Sequence, residues 1–328
     1  MSKKITQPVA SSNKATKAKA VAENAAAIDT SAMSISERMR VKLNAKKGGE
    51  FAKSFSNGES LQQIKSWITL KSFFKQSTGG EGFPCGHITQ IIGETDSGKT
   101  TLMMEGMASC QKSGGVVYLI DSEHKFSLER LALMGGSPTD VIVIQVESLE
   151  QSWDAILSVC QLVEAEQTEG NHCPTMVCWD SIAASVPERI LEEDDAGNAH
   201  IAVEAKINNK NVRKLRMMIK NANIACVFVN HFYMSMPAAF TGFPKEVIKG
   251  GEELTFMTTL VIKTKKGKKI ERGVGGEKQK IGRYTKFEVF KGHFHGRTIE
   301  KEVAVVDCGI METDEDLAEY IKGLKGAI

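Results

Sequence analysis

No stretch of this 328-residue chain approaches the ~18 consecutive apolar residues of a membrane-spanning helix, and its strongest apolar run, Ile224 to Val229, is only strand-sized. CxxC spacing is also missing. The seven cysteines (Cys85, Cys110, Cys160, Cys173, Cys178, Cys226 and Cys308) are scattered, which argues against a zinc site or a secreted disulfide framework and for free thiols in a reducing compartment. Charge of one sign is not in excess: 42 lysines and arginines face 40 aspartates and glutamates, a net +2. Attraction to nucleic acid would therefore have to reside in local patches. The N-terminal lysines have no apolar segment behind them, which speaks against a signal peptide. The expectation is a cytoplasmic protein with no membrane partner.

What is present suits a folded chain. Hydrophobic residues make up 41% and charged residues 25%, enough to bury a sizeable core, and the length corresponds to about two domains at roughly 150 residues each. Residues 1–31 stand apart, rich in Ala, Lys, Ser and Asn and without an aromatic; the first twenty carry five lysines and no acid. Such a segment cannot bury enough apolar surface to offset its ordering entropy, so a disordered basic tail is expected, serving either solubility or contact with DNA or an acidic partner. Ser34 and Glu37 then have the spacing of a capping box, and Ile35, Met39, Val41 and Leu43 line a short helix ending near Gly48. Residues 32–77 read as an arm, because about 45 residues make too small a core of their own.

A regular alternation follows. Apolar runs of strand length occur at His87–Ile92, Val116–Ile120, Val141–Val146, Met176–Trp179 and Ala225–Val229, separated by helix-period segments at Thr100–Lys112, Leu128–Met134, Leu149–Glu166 and Val203–Ile219. Strands this evenly apolar argue an α/β fold, a mostly parallel sheet with helices on both faces. Leu260–Lys263, Phe287–Phe290 and Glu302–Val306 alternate instead and read as an antiparallel extension, and Asp314–Leu324 as a closing helix. The core is placed at residues 78–310 and the short C-terminal helix within 311–328.

Gly93-Glu94-Thr95-Asp96-Ser97-Gly98-Lys99-Thr100 matches GxxxxGK[ST] in full, with a strand before it and a helix after it. In that context backbone N–H groups turn inward on phosphate oxygens at a helix N-terminus. Lys99 would reach the β- and γ-phosphates of a nucleoside triphosphate, and the Thr100 hydroxyl would sit on Mg2+. Val177-Cys178-Trp179-Asp180 is an apolar run ending in an acid, the pattern whose carboxylate holds the magnesium shell. Asp121-Ser122-Glu123-His124 follows another strand, where a carboxylate faces the ligand crevice. Glu123 is placed to activate a water; Asp121 and His124 compete for that role, and Glu123 could instead cap the next helix.

These residues, in this order, resemble the RecA family of ATP-dependent DNA recombinases, and its phage UvsX members in particular. The resemblance runs from about Met39 to Asp314 and rests on Gly93–Thr101, Ile120-Asp121-Ser122-Glu123-His124, Trp179-Asp180-Ser181, Val229-Asn230-His231 and Lys249-Gly250-Gly251. It implies a RecA-like P-loop ATPase core with an N-terminal oligomerisation arm, using ATP and Mg2+, with Gly93, Glu94, Thr95, Asp96, Ser97, Gly98, Lys99, Thr100, Thr101, Arg130 and Asp180 around the nucleotide. Glu123 matches the catalytic glutamate, and His231 the polar sensor of the γ-phosphate; a His merely satisfied at a strand end is the alternative. Gly197–Ile201 resembles the first DNA loop, with Ile201 as the apolar wedge, and Phe232–Lys249 the second, with Met236 and Phe240 suited to unstacked bases. Gly250 and Gly251 would let backbone approach phosphates, and Lys206 and Arg213 match DNA-backbone contacts.

The resemblance also implies a helical filament. Phe51 and Phe256 fall at subunit-interface positions, and Lys291 and His293 match a lysine pair that reaches the neighbour's γ-phosphate, the second being His here. Ser127 and Arg130 replace an aspartate and a stacking aromatic at the base, which leaves base preference open. The chain stops soon after Cys308-Gly309, so a separate C-terminal DNA-gathering domain is expected to be absent or reduced to one helix. Between Val261 and Lys291 stand eleven basic residues against three acids, a net +8, read either as a DNA-steering surface or as a solvated hairpin. The implied function is homologous pairing and strand exchange driven by DNA-dependent hydrolysis of ATP to ADP and phosphate. Implied partners are single-stranded DNA, homologous duplex, further copies of the chain, and single-strand-binding and mediator proteins; a phage origin would place it in a host bacterial cell. A hexameric helicase on the same core, or a nucleotide-responsive single-strand-binding scaffold with little turnover, are the rival readings.

Overall fold

The computed structural model describes residues 33–47, 52, 64–192, 199–235, 245–274, 277–292 and 300–325. The chain divides into two units, residues 1–63 and 64–328. In the first, the helix Ile35–Lys47 opens with the capping box expected of it. The Glu37 N–H donates to Ser34 Oγ, and the Ser34 N–H donates to Glu37 Oε2 at 2.9 Å. Asn44 exchanges two hydrogen bonds with the backbone of Ala52. Phe51 lies outside the described residues.

The larger unit begins at Ile64 rather than at residue 78. The physical reason is the helix Ser72–Thr78, whose Phe73 and Phe74 are buried in the same cluster as Phe83 and Phe287. Strands β1 (Trp67–Thr69) and β2 (Gly82–Pro84) pair antiparallel beside it. The main sheet contains β3 (Ile88–Gly93), β4 (Val116–Asp121), β5 (Val141–Gln145), β6 (Thr175–Asp180) and β7 (Ala225–Asn230). β8 (Phe232–Ser235) and β9 (Lys245–Ile248) form a separate ribbon, and β10 (Leu260–Val274), β11 (Glu277–Gly292), β12 (Lys301–Val306) and β13 (Gly309–Met311) complete the set. The order across the nine-stranded sheet is β13-β12-β11-β10-β3-β7-β6-β4-β5.

β10 was expected to start the antiparallel extension, but it runs parallel to β3, and the extension starts at β11. The reason lies in its first residues, which are covered on both faces like the other parallel strands: Leu260, Val261 and Ile262 are all buried.

The strand period of two sorts side chains to the two faces. On β6, Met176 and Cys178 enter the cluster under the helix Lys99–Lys112, while Val177 and Trp179 enter the cluster under the helices Leu149–Thr168 and Ala199–Ala222. In the second cluster Trp153, Trp179 and Phe228 meet edge to face with centroids 5.2–6.3 Å apart. Truncating Phe228 there would cost about 3–5 kcal/mol. The C-terminal helix Asp314–Lys325 lays Leu317, Tyr320 and Ile321 against Ile270, Ile281 and Val306 of the extension. All seven cysteines are free, and burial pushes the Cys110 thiol up to about 12.

Candidate nucleotide site and the loops beside it

The strand order brings four motifs to one edge. β3, β7, β6 and β4 are consecutive and parallel, so their carboxyl ends, leading into the P-loop, His231, Asp180 and Glu123, stand side by side at about 4.8 Å per strand. This is the crevice in which open α/β sheets bind ligands.

The P-loop's shape follows from its glycines. A Cβ on Gly93 would stand 2.1 Å from Thr264 Oγ1 and 2.7 Å from Ser97 Oγ, and Gly98 takes φ +82 immediately before the helix. Only glycine meets both demands. Ser97 Oγ donates to the Glu94 carbonyl at 2.6 Å and lies 2.6 Å from Thr264 Oγ1. The Lys99 ammonium folds back on the loop, donating to the Gly93 and Glu94 carbonyls at 3.1 and 2.7 Å.

On the β7–β4 side of this lysine, Thr100 Oγ1 donates to Asp180 Oδ2 at 2.8 Å, and Ser181 Oγ donates to Glu123 Oε1 at 2.7 Å. Ser122 Oγ in turn donates to the Ser181 carbonyl and accepts from its N–H. Burial drives the electrostatics. It raises the Asp180 carboxyl to about 6 against the lowering effects of the Thr100 hydrogen bond and Lys99. It also lowers the Lys99 ammonium to about 8, with Asp180 and Glu123 pulling the other way. His231 is half-buried and held below the ordinary imidazole range, by desolvation first and by Lys99 next.

On the β11–β12 side lies a cavity of about 360 Å³. The P-loop from Asp96 to Thr101 forms one wall, Arg130 another, and residues 280–283, Thr285 and 305–307 the third. Arg130 Nη2 donates to Thr101 Oγ1 at 3.0 Å, while Arg130 Nε and Thr285 Oγ1 are buried without a partner among the described residues. Unpaired donors and a buried lysine lining one cavity at a helix N-terminus fit an anionic ligand such as a nucleoside triphosphate. The hydroxyl and carboxylate oxygens of Thr100 and Asp180 are the donor set of a hard cation such as Mg2+. Among the described residues no group of three His, Cys, Asp or Glu could hold a metal by itself, so phosphate oxygens would complete the shell.

β7 runs straight into the loop side. Asn230 is buried; its Nδ2 donates to Gln90 Oε1 at 3.0 Å and to the Lys249 carbonyl at 2.7 Å. The Lys249 N–H donates to the His231 carbonyl, closing the β8–β9 ribbon. The expected second loop thus has a paired strand base, and Met236 and Phe240 lie outside the described residues. Gly250 and Gly251 have φ +98 and +96. Asn208 Nδ2 donates to the Gly250 carbonyl while Asn208 Oδ1 accepts from Trp153 Nε1.

The first loop differs from expectation: residues 199–201 already belong to the helix Ala199–Ala222, and the Ile201 side chain lies outside those described. Lys206 is exposed on this helix, whereas Arg213 pairs with Glu253 at 3.0 Å. Phe256 is 71% exposed. Lys291 Nζ donates to the Thr255, Phe256 and Thr258 carbonyls, each at 2.8 Å, a cation at a helix C-terminus. Its ammonium is therefore engaged within its own chain; His293 lies outside the described residues.

The basic stretch is largely spent internally. Lys263 pairs with Glu246, Lys265 with Glu288, Lys266 with Glu94, Lys278 with Glu271, Lys280 and Arg283 with Asp96, and Lys286 with Glu300. Lys268, Lys269 and Arg272 carry the remainder. Sequence reasoning missed Ser181, Lys280, Arg283, Thr285 and Asp307. Asp307 had a readable signal, since Val305-Val306-Asp307 repeats the apolar-run-then-acid pattern that exposed Asp180.

A family model described as the RecA N-terminal domain matches residues 43–308. Protein RecA from each of two strains of Ureaplasma parvum serovar 3 is 32% identical over 230 residues, 70% of this chain and 64% of the relative's own length. The strand order, the P-loop and the match across most of the sequence agree: the chain belongs to the RecA family.

Proposed function

We propose that the chain is an ATP-dependent recombinase that polymerises on single-stranded DNA and carries out homologous pairing and strand exchange, hydrolysing ATP to ADP and phosphate. The observation that carries this reading is continuity. β7 ends at Asn230 beside the P-loop strand and passes through His231 directly into the β8–β9 ribbon at the base of the second loop.

In this reading the triphosphate lies across the N-terminus of the helix Lys99–Lys112. The nucleoside occupies the cavity beside Arg130, and the terminal phosphate faces Lys99, Glu123 and His231. Thr100 and Asp180 hold Mg2+, which supplies charge neutralisation on the phosphates. Glu123, oriented by Ser181, takes the proton of the attacking water. His231 senses the terminal phosphate, and its strand passes that state to the ribbon, biasing the DNA-binding conformation. Lys206, Arg213, Gly250, Gly251 and the loop residues Ile201, Met236 and Phe240 are the DNA contacts of this reading. Phe51 and Phe256 are its subunit contacts, with Lys291 and His293 acting on the neighbour's nucleotide. Lys291 would first have to leave its three carbonyls.

No helix among the described residues is long and apolar enough to cross a membrane. The likeness to phage members rests on the His231 pattern. Electron micrographs with single-stranded DNA and a non-hydrolysable ATP analogue test the assembly. Open helical filaments are expected; closed six-membered rings would instead support a helicase on this core.

A further inference from the structure

The third wall of the cavity poses an electrostatic problem. Asp96 sits in the middle of the P-loop, at φ 61, and Glu94 stands two residues before it. A loop that must receive several phosphate charges thus carries two carboxylates of its own, and like charges at close range oppose binding unless they are neutralised.

The neutralising groups come from the β10–β11 ribbon. Asp96 Oδ2 accepts from Lys280 Nζ at 2.9 Å and from Arg283 Nη2 at 3.4 Å, and Lys266 Nζ stands 3.2 Å from Glu94 Oε2. The arrangement is built rather than incidental. The Arg283 side chain is only 16% exposed, and its Nη1 is anchored on the Gly267 carbonyl at 3.1 Å. Lys280 and Arg283 both line the cavity with Asp96. Beside them Thr285, 1% exposed, has a buried Oγ1 with no partner among the described residues, 3.5 Å from where a Cβ on Gly98 would lie. The hydrogen bond from Lys280, then the fields of Lys280, Arg283 and Lys266, hold the Asp96 carboxyl below its ordinary range.

We propose that Lys280 and Arg283 are positioning residues of the nucleotide site: by holding the Asp96 carboxylate between them they cancel its charge, so that the ribbon sets the affinity of the P-loop for nucleoside triphosphate. The proposal rests on reading the cavity as a nucleoside triphosphate site. It assigns the two cations an effect exerted through Asp96, with no contact of their own to the phosphates.

The test is a mutant cycle on the full chain, read as the affinity for a fluorescent ATP analogue with Mg2+. Glutamine replaces both cations, since at position 283 it keeps a donor for the Gly267 carbonyl. Lys280→Gln with Arg283→Gln weakens binding by about tenfold. Adding Asp96→Asn restores it to within about threefold of wild type, because the charge that the cations cancelled is gone. Lys280→Gln alone, with and without Asp96→Asn, gives the same pattern at smaller amplitude and carries the comparison if the double variant melts early. An undiminished loss in the Asp96→Asn background would mean that the cations touch the nucleotide directly and would overturn the proposal, as would no loss in the double variant. A wild-type chain that fails to bind the analogue removes the nucleotide reading and the proposal together, whereas a wild type that binds, with no rescue by Asp96→Asn, removes the proposal alone.

Discussion

Ser181 Oγ donates to Glu123 Oε1 across 2.7 Å, joining the residue after β6 to the loop after β4. Ser181 is fully buried and Glu123 is only partly so. The hydroxyl therefore fixes one oxygen of a carboxylate that is not itself fully buried. A base must be aimed before its basicity matters.

Two substitutions separate aim from chemistry. Glu123→Gln should lower turnover by about 10²–10⁴-fold, the usual worth of a general base. Ser181→Ala keeps the carboxylate but frees it, and should lower kcat by about tenfold with nucleotide affinity unchanged. Single-turnover hydrolysis beside nucleotide binding checks both. A Glu123→Gln variant with full turnover would remove the role given to that residue.

Nucleotide binding should follow a bell in pH. The Asp180 carboxyl titrates at about 6, so it gains a proton and stops serving Mg2+ as pH falls through that value. The Lys99 ammonium titrates at about 8, so its charge is lost as pH rises through that value. Bound phosphates favour the charged lysine and bound Mg2+ the charged carboxylate. Binding thus releases protons on the acid side and takes them up on the alkaline side. Calorimetry in buffers of different ionisation heat would show the proton flux change sign between the two limbs.

Asn230 should prove to be a coupling residue. Replacing it with alanine removes donors to Gln90 and to the Lys249 carbonyl, leaving one buried and one partly buried acceptor unpaired at a cost of about 1–3 kcal/mol. Since these bonds tie the ribbon base to the sheet, DNA stimulation of ATP turnover should fall by about tenfold. DNA-free turnover should fall far less. Equal loss of both rates would mean that Asn230 only supports the fold.

Gly250 offers a test of the turn beyond the ribbon. Its φ of +98 disfavours any side chain, and a Cβ there would lie 3.1–3.3 Å from Leu254, Asn208 and Ile182. Gly250→Ala should cost about 1–3 kcal/mol of stability, read by urea unfolding.

How much of this was legible in the sequence depends on what each segment is packed against. Strands β3, β4, β6 and β7 were readable because both faces are covered: Thr175–Asp180 is buried at every position, and its apolar run ends where the acid is needed. The P-loop was readable because Gly93 and Gly98 leave no choice of residue. β10 and β11 were located by four residues each, Leu260–Lys263 and Phe287–Phe290, yet they extend over 15 and 16 residues. Their outer halves are lysine-rich and bury only Ile270 and Ile281, too few apolar residues to show the alternation of a strand. The helix read as Val203–Ile219 begins at Ala199 and ends at Ala222, because turns at its ends lack the apolar spacing of its middle. The pairing of Asp96 with Lys280 joins positions 184 residues apart, which no local pattern reports. The engagement of Lys291 spans 33–36 residues and was hidden in the same way, so that its charge looked free for a neighbour although three carbonyls hold it.

The most direct test of the central claim is the rate of ATP hydrolysis by the full chain with and without single-stranded DNA. The account predicts slow turnover alone and a rise of about tenfold or more on adding DNA, abolished by Lys99→Ala. Turnover that ignores DNA would leave the nucleotide site standing and contradict the link from His231 through β8 and β9 on which the recombinase reading depends.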